Sequence, residues 1–139
     1  MLDTNVISEI FRPGPEAHVI DWLTSLTGDV AITAITLAEL PAGVKLLPDG
    51  RRKDALAARI DAALEPYRGG QSVLPFDESA AARYADVLAA RDLAGAPIST
   101  ADAQIAAICL ARDATCATRN TEDFAHTEIE LIDPWRVQA

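Results

Sequence analysis

Apolar positions along the chain fall into two patterns, short continuous runs and longer stripes with helical spacing. In the stripes, apolar residues recur three and four positions apart, which places them on one face of a helix. The short runs are bounded by turn residues, as is typical of strands buried in a parallel sheet. Because runs and stripes alternate, they predict an α/β fold in which helices cover both faces of a parallel sheet.

The predicted strands are short, and the predicted helices lie between them. The strands end at Leu2 or cover residues 30–33, 73–74, 115–118 and 129–132. The helices cover residues 19–26, 37–47, 56–67, 78–94 and 101–112. Gly28 is predicted to cap the first helix and Asp77 the fourth, with Leu88 on the inner face of that fourth helix. No repeat or linker interrupts the pattern, so residues 1–139 are predicted to form a single domain.

Composition limits the kind of core and the location of the protein. Half of the 139 residues are hydrophobic but 5% are aromatic, so we expect an aliphatic core between closely packed helices. No apolar run approaches the roughly 20 residues that cross a bilayer, and the N-terminus does not resemble a signal peptide. We therefore expect a cytoplasmic protein, in which Cys109 and Cys116 are reduced core residues.

The charge balance restricts how nucleic acid could be bound. Twenty-one acidic residues against twelve basic ones give a net charge of −9, the wrong sign for binding through bulk electrostatics. Any RNA would have to be bound locally. The acidity is compatible with a carboxylate metal site or with a basic protein partner.

Polar side chains follow several predicted strands or begin helices. Asp3 follows the first strand, Glu39 follows the second, and Asp102 lies at the start of a helix. Asn120 and Asp123 follow the fourth strand. Functional loops of a parallel sheet lie at the carboxyl ends of its strands, so these side chains are expected near one edge. Oxygen ligands of this kind select hard cations such as Mg²⁺ or Mn²⁺.

Each acid also has a purely structural explanation when it is considered alone. Thr36 and Glu39 fit a capping box, and Ser99 and Asp102 have the same spacing. Asp3 fits an Asx turn. The joint placement of these acids, rather than any one of them, is what favours a functional site.

Four motifs in this order resemble PIN-domain proteins, most closely the VapC-like toxins of bacterial toxin–antitoxin modules. They are LDTNVISE at 2–9, TLAEL at 36–40, TADAQIAA at 100–107 and ATRNTEDF at 117–124. The resemblance implies a three-layer α/β/α sandwich with a short parallel central sheet. It also implies an endoribonuclease that uses Mg²⁺ or Mn²⁺ to hydrolyse RNA phosphodiester bonds.

Carried over residue by residue, the resemblance assigns a catalytic and metal-binding set. Asp3, Glu39 and Asp102 match the three acidic positions of the family. Asp123 falls at the fourth position together with Asn120, and it is the better candidate there because many relatives have Asp where Asn120 stands. The residues expected to line the pocket are Thr4, Asn5, Thr118 and Asn120.

Several features bear on how this site would be arranged and how RNA would reach it. Pro41 lies inside the predicted helix two residues after Glu39, where it could kink the helix and re-aim that side chain. Trp22 and Trp135 are interpreted as core or interface anchors, because the chain has few aromatics for base stacking. The basic residues expected to contact RNA are Arg12, Arg51, Arg52, Lys53 and Arg119.

The resemblance further implies partners. A VapB-like antitoxin would place a basic side chain in the acidic pocket and would carry the contact to operator DNA, and the chain itself would form a homodimer. One alternative is a non-catalytic PIN subunit of a DNA-binding regulatory complex, whose acids only hold the antitoxin. A receiver-like phospho-acceptor domain is a third possibility, but it requires paired acids after the first strand and a Lys after the last, and the sequence has neither.

Overall fold

Helices separate four short strands along residues 1–137, the part of the chain that the computed structural model describes. The strands are β1 (Ile32–Thr33), β2 (Val73–Leu74), β3 (Cys116–Ala117) and β4 (Leu131–Ile132). The helices are α1 (Thr4–Ser8), α2 (Ala17–Ser25), α3 (Ala34–Lys45), α4 (Arg51–Leu64), α5 (Glu78–Leu93) and α6 (Thr100–Arg112). Short 3-10 helices cover Glu9–Phe11, Glu65–Tyr67 and Thr121–Phe124.

Residues 1–3 form the centre of the sheet. β1 pairs in parallel with β2, and β3 pairs in parallel with β4. The amide of Leu2 donates to the carbonyl of Ala31 at 2.8 Å, on the β1 side. On the β3 side, the amide of Ala117 donates to Met1, and the amide of Asp3 donates back to Ala117, both at 2.9 Å. The order across the sheet is therefore β2, β1, residues 1–3, β3 and β4.

Neighbouring residues of the strands belong to two different cores, because successive side chains of a strand face opposite sides of a sheet. Leu2 and Ala117 pack with residues of α1, α3 and α4. Cys116 packs in a second cluster with residues of α5 and α6, and Met1 lies against that cluster. The sheet is thus covered by helices on both faces, which confirms the expected three-layer α/β architecture.

The hydrophobic pattern located the strands and helices α2 to α6, with differences at their ends, but it did not predict α1. Helix α2 ends at Ser25, and its C-cap residue is Leu26 in an extended conformation. Gly28 follows two residues later with φ +85° and does not cap the helix. Leu88 is 39% exposed, so its predicted place on the inner face of α5 is wrong. Asp77 does cap α5, since its side chain accepts from the amide of Ala80 at 3.1 Å.

Two other expectations concern the cysteines and the membrane. Cys109 and Cys116 are free and buried, as predicted for core thiols. Within residues 1–137, none of the helices has the length and apolar character that a bilayer crossing requires.

We expect side chains in the core between α5 and α6 to contribute strongly to the free energy of unfolding. Replacing the buried Ile105 with alanine removes aliphatic contacts and leaves a cavity, so Ile105→Ala should lower the free energy of unfolding by about 3 kcal/mol. Urea denaturation followed by circular dichroism measures this loss. Leu93→Ala is the matched control, because Leu93 is 91% exposed, and its effect should stay below about 0.5 kcal/mol. Equal effects of the two variants would contradict this assignment of the core.

Candidate active site

A cavity of about 480 Å³ lies at the carboxyl edge of the sheet and brings together residues from distant parts of the sequence. Three of the predicted acids, Asp3, Glu39 and Asp102, line it. The other residues that line the cavity are Thr4, Asn5, Ser8, Glu9, Arg12, Arg119, Asn120 and Trp135. The acids therefore face one cavity and are not dispersed over separate surfaces.

Asp3 is fixed at the end of the central strand by donors from two neighbouring segments. It is 4% exposed and caps α1, where its Oδ1 accepts from the amide of Thr4 at 2.8 Å. Its Oδ2 accepts from the hydroxyl of the buried Thr118 at 2.8 Å and from the Nδ2 of Asn5 at 3.2 Å. Asp3 therefore caps the start of α1 through the amide of the next residue, and not through the amide two residues on that the predicted Asx turn would use.

The charge on Asp3 is nevertheless unfavourable. Burial raises the pKa of this carboxyl to about 6, although hydrogen bonds from Thr118 and Thr4 oppose the shift. The negative charges of Asp102 and Glu39 raise the pKa of Asp3 further. The carboxylate is therefore short of compensating positive charge.

Glu39 is held by a chain of hydroxyl groups instead of capping its own helix. The cap of α3 is Thr33, whose hydroxyl accepts from the amide of Thr36 at 3.2 Å, so the predicted capping box of Thr36 and Glu39 is wrong. Thr4 donates from its hydroxyl to Oε1 of Glu39 at 3.0 Å, and this hydroxyl lies 2.8 Å from that of Thr36. Because the proton of Thr4 is directed at Glu39, Thr36 must be the donor in that second contact.

The helix that carries Glu39 is also continuous through its proline. Helix α3 runs from Ala34 to Lys45 with Pro41 inside it. The carboxylate of Glu39 still lines the cavity, so the proline does not turn it away.

Asp102 lies in the first turn of α6. Asp123 lies close enough to Asp102 to influence its charge, but it does not line the cavity. Ser99 caps α6 by accepting from the amide of Asp102 at 3.2 Å, so this part of the predicted capping box is confirmed. Burial raises the pKa of Asp102, and the charge of Asp123 raises it further, whereas Ser99 and Arg91 lower it. Asp123 is exposed in the 3-10 helix and influences the site through its charge.

Arg91 connects the segments that carry Asp102 and Asp123. This residue was not identified from the sequence. It is 5% exposed on α5, and its Nη1 donates to the carbonyls of Glu122 and Ala125 at 2.9 and 2.8 Å. Its Nη2 donates to the carbonyl of Pro97 at 2.9 Å. The guanidinium thereby ties the turn before α6 to the 3-10 helix that contains Asp123. An arginine in an otherwise amphipathic helix gives no signal of this role.

Glu9 and Trp135 also line the cavity, and neither was predicted to do so. Glu9 is 2% exposed, and its carboxylate accepts from Arg12 at 3.0 Å and from the amide of Glu16 at 3.1 Å. Burial opposes the charge of Glu9, but these contacts hold its pKa below the usual value. Trp135 packs against the first core as expected for an anchor, and it also borders the cavity beneath Arg119.

The predicted basic residues divide into two groups. Arg12 and Arg119 line the cavity, whereas Arg51, Arg52 and Lys53 do not. Lys53 lies at a second cavity between α3 and α4, where its ammonium donates to the side chain of Asp49 and to the carbonyl of Lys45. The basic run at 51–53 is thus a separate surface at the start of α4.

The donor set fits a hard divalent cation. The acids that line the cavity offer oxygen atoms, and the raised pKa of Asp3 shows that positive charge would be favourable there. Within residues 1–137, no three acidic, histidine or cysteine side chains are already grouped closely enough to hold a metal ion. Mg²⁺ does not require such a cage, because it keeps several waters and usually binds through one or two carboxylates together with substrate phosphates.

A parallel sheet between helical layers, with carboxylates gathered at its carboxyl edge, defines an α/β protein with an acidic site. A sequence model of the PIN domain matches residues 1–130, and the chain belongs to the PIN-domain family.

Individual relatives match almost the whole chain. The toxin FitB of Neisseria gonorrhoeae is 43% identical over 136 residues, which are 97% of this chain and 97% of FitB. A VapC ribonuclease of Sinorhizobium fredii is 37% identical over 97% of this chain and 96% of its own. A chain in the solved structure of FitAB bound to a DNA fragment superposes with a TM-score of 0.91 at 41% identity, covering 99% of this chain and 96% of that chain.

The raised pKa of Asp3 predicts a pH dependence of stability in the absence of divalent cations. Its folded-state pKa of about 6 lies above the usual 3.8, so the folded protein binds the proton more tightly than the unfolded chain. This contribution is fully present below about pH 4 and is lost as pH rises through 6, a decrease of about 3 kcal/mol. Urea unfolding in EDTA between pH 4 and 7 measures it.

The Asp3→Asn variant separates this titration from those of all other groups. Its side chain cannot ionise, so the difference in unfolding free energy between variant and parent should shift in favour of the variant as pH rises from 4 to 7. A difference that does not change with pH would show that Asp3 has an ordinary pKa.

Proposed function

We propose that this protein is a Mg²⁺-dependent endoribonuclease toxin that hydrolyses RNA phosphodiester bonds and is neutralised by a cognate antitoxin. The observation that carries the proposal is the single cavity in which Asp3, Glu39 and Asp102 meet. Separate donors hold the carboxylates of Asp3 and Glu39, and Asp102 is placed by the cap of its helix, where its amide donates to Ser99. Similarity to a VapC ribonuclease over nearly the whole chain supports the same reaction.

In this proposal the acids have different positions and therefore different tasks. Asp3 and Asp102 would hold the cation directly, and Glu39 and Asp123 would bind it or orient water beside it. Thr118 and Asn5 fix the orientation of the Asp3 carboxylate, and both hydrogen bonds favour its charged form. Rigid support of this kind keeps a ligand aligned before substrate arrives.

The hydroxyl chain performs the same task for Glu39. Thr33 donates to Thr36 at 3.5 Å, Thr36 donates to Thr4, and Thr4 donates to Glu39. Because each hydroxyl is polarised by the one before it, the chain strengthens the last contact and fixes the position of the carboxylate. When bound, Mg²⁺ or Mn²⁺ supplies the Lewis acidity that phosphodiester hydrolysis requires.

RNA would reach the acids through local contacts. Arg12 and Arg119 line the cavity, and Asn120 is exposed at its edge. The surface at residues 51–53 stays a predicted RNA contact outside the cavity. A longer RNA that extends beyond the cavity would reach it.

The same acidic cavity is suited to an antitoxin that inserts a basic side chain. A VapB-like antitoxin would neutralise the excess negative charge and exclude RNA, and it would supply the contact to operator DNA. The similarity to a chain of FitAB bound to DNA supports such an assembly. A cytoplasmic homodimer, with residues 1–139 as one domain in each copy, completes the proposal.

Replacing the acids tests the catalytic assignment. With Mg²⁺ and a mixed-sequence RNA, Asp3→Asn and Asp102→Asn should each lower kcat/KM for cleavage roughly 100-fold or more, because each removes a proposed ligand. Asp123→Asn and Thr118→Val should cost roughly 10-fold, as is typical of groups that act through a ligand. Gel analysis of labelled RNA gives the rates.

Asp86→Asn provides the matched control, since Asp86 is exposed on α5 and pairs with Arg83 far from the cavity lining. It should cleave at the parental rate. Parental cleavage by Asp3→Asn would refute the site. A parental chain that binds the antitoxin but cleaves no RNA would instead favour a non-catalytic regulatory subunit.

Cation binding is testable without any RNA. At pH 7, Mn²⁺ at 100 times its dissociation constant should stabilise the parental protein by about 2.7 kcal/mol. Asp3→Asn should lose most of this stabilisation because it removes a buried carboxylate, and Asp86→Asn should retain it. Thermal unfolding at several Mn²⁺ concentrations measures the effect, and identical curves with Mn²⁺ and with EDTA would count against a cation site.

A further inference from the structure

One wall of the acidic cavity is formed by an arginine that lies on a tryptophan. The Cζ of Arg119 is 5.1 Å from the centre of the Trp135 ring, within the range of a cation–π contact. Both side chains line the same cavity as Asp3, Glu39 and Asp102. A positive group is therefore placed next to the acids without being paired to them.

Arg119 differs from the other arginine of this cavity in its charge balance. Arg12 is neutralised by Glu9, whose two oxygens accept from Nη1 at 3.1 and 3.0 Å. Within residues 1–137, the guanidinium of Arg119 makes neither an ion pair nor a hydrogen bond, although its charge, like that of Arg12, lowers the pKa of Glu9. Its five N–H groups are thus free to bind an acceptor from outside the chain.

The position of Arg119 is fixed from both sides. Its amide donates to Oδ1 of Asn5 at 3.2 Å, and Nδ2 of the same Asn5 donates to the Asp3 carboxylate at 3.2 Å. On the other side, Trp135 packs against the first core, its amide donates to Asp133 at 3.0 Å, and its carbonyl lies 2.8 Å from Nε2 of His18. The arginine is therefore linked to the catalytic candidate through a single side chain.

We propose that Arg119, oriented by Trp135, is the binding site for an RNA phosphate adjacent to the one that is cleaved. This inference rests on the proposed ribonuclease function. A guanidinium presents two parallel N–H groups that match phosphate oxygens, and an aromatic face holds its plane in place. Trp135 is then a positioning residue, which reduces the entropy lost when the phosphate is bound.

The neighbouring acids favour RNA over an acidic protein segment as the ligand. An isolated carboxylate at Arg119 would approach Glu9 and the acids of the same cavity and would meet repulsion. An RNA strand carries a phosphate at every nucleotide, so one phosphate can occupy the acidic part of the site with its cation while the next lies on Arg119. The subsite thereby sets the register of the strand on the acids.

Binding of a single-stranded oligoribonucleotide, measured by fluorescence anisotropy at several salt concentrations, tests the subsite. The measurement uses the full chain in the Glu39→Gln background with Mg²⁺ present, which keeps the two proposed direct ligands, Asp3 and Asp102. Arg119→Gln should weaken binding roughly 10-fold and reduce the slope of log affinity against log salt by about 0.7, the value for one phosphate contact on a single strand. Arg119→Lys should keep the slope but lose several-fold in affinity, because an ammonium cannot form the paired contact.

A double-mutant cycle tests the role of Trp135. Trp135→Leu should weaken RNA binding several-fold when Arg119 is present and should have no effect when residue 119 is glutamine, since it acts through the guanidinium. Trp135→Phe retains an aromatic face and should restore most of the affinity. In the cleavage-competent chain, Arg119→Gln should raise KM with little change in kcat, as expected for a contact made equally in the bound and transition states.

Arg136→Gln is the matched control. Arg136 is exposed next to Trp135 and does not line the cavity, so its replacement removes the same charge from outside the cavity. An equal loss in Arg136→Gln and Arg119→Gln would show bulk electrostatics and overturn the subsite. Unchanged affinity and salt slope in Arg119→Gln would also overturn the subsite. If the parental chain still cleaves RNA in that case, the ribonuclease proposal stands. A parental chain that binds RNA with the predicted Arg119 slope but never cleaves it supports the subsite and refutes the ribonuclease.

Discussion

The carboxylate of Asp3 is buried at the end of the central strand, and the arrangement of the site follows from the cost of that charge. Three donors surround it, yet its pKa remains about 6, because burial and two nearby acids outweigh them. The fold cannot remove this conflict, since the backbone of residues 1–3 joins the two halves of the sheet. A bound cation would relieve this conflict, so the sheet topology itself makes positive charge favourable beside Asp3.

Three separate supports bring the acids to this point. Asp3 depends on β3 through Thr118, and Glu39 depends on a hydroxyl chain that begins at the cap of α3. Asp102 depends on the cap of α6, which the buried guanidinium of Arg91 ties to the neighbouring 3-10 helix. These supports share no hydrogen bond, but Thr4 contributes to two of them, because its amide donates to Asp3 and its hydroxyl donates to Glu39.

Sequence reasoning found the acids because each follows a strand or begins a helix, and both signals are local. It failed where the outcome depends on distant contacts. Two threonines three residues apart could each cap α3, and the end of β1 at Thr33 selects the first of them. Glu9 had the appearance of an ordinary surface acid, and its burial is visible only once the amide of Glu16 and the charge of Arg12 are placed against it. Whether residues 51–53 line the cavity likewise depends on how α3 packs against α4, which the sequence pattern does not specify.

An acidic chain can bind RNA if positive charge is concentrated where the strand must pass. Charges beyond about 8 Å are largely screened at physiological ionic strength, so the net charge of −9 matters less than the groups within the cavity. There, Arg12 is hydrogen-bonded to Glu9, whereas the guanidinium of Arg119 lies on Trp135. Asn5 links the backbone amide of Arg119 to the carboxylate of Asp3. The same geometry explains how a partner could inhibit the site: a basic side chain that reaches past Asn5 would satisfy the charge of Asp3 and occupy the path of the RNA at once.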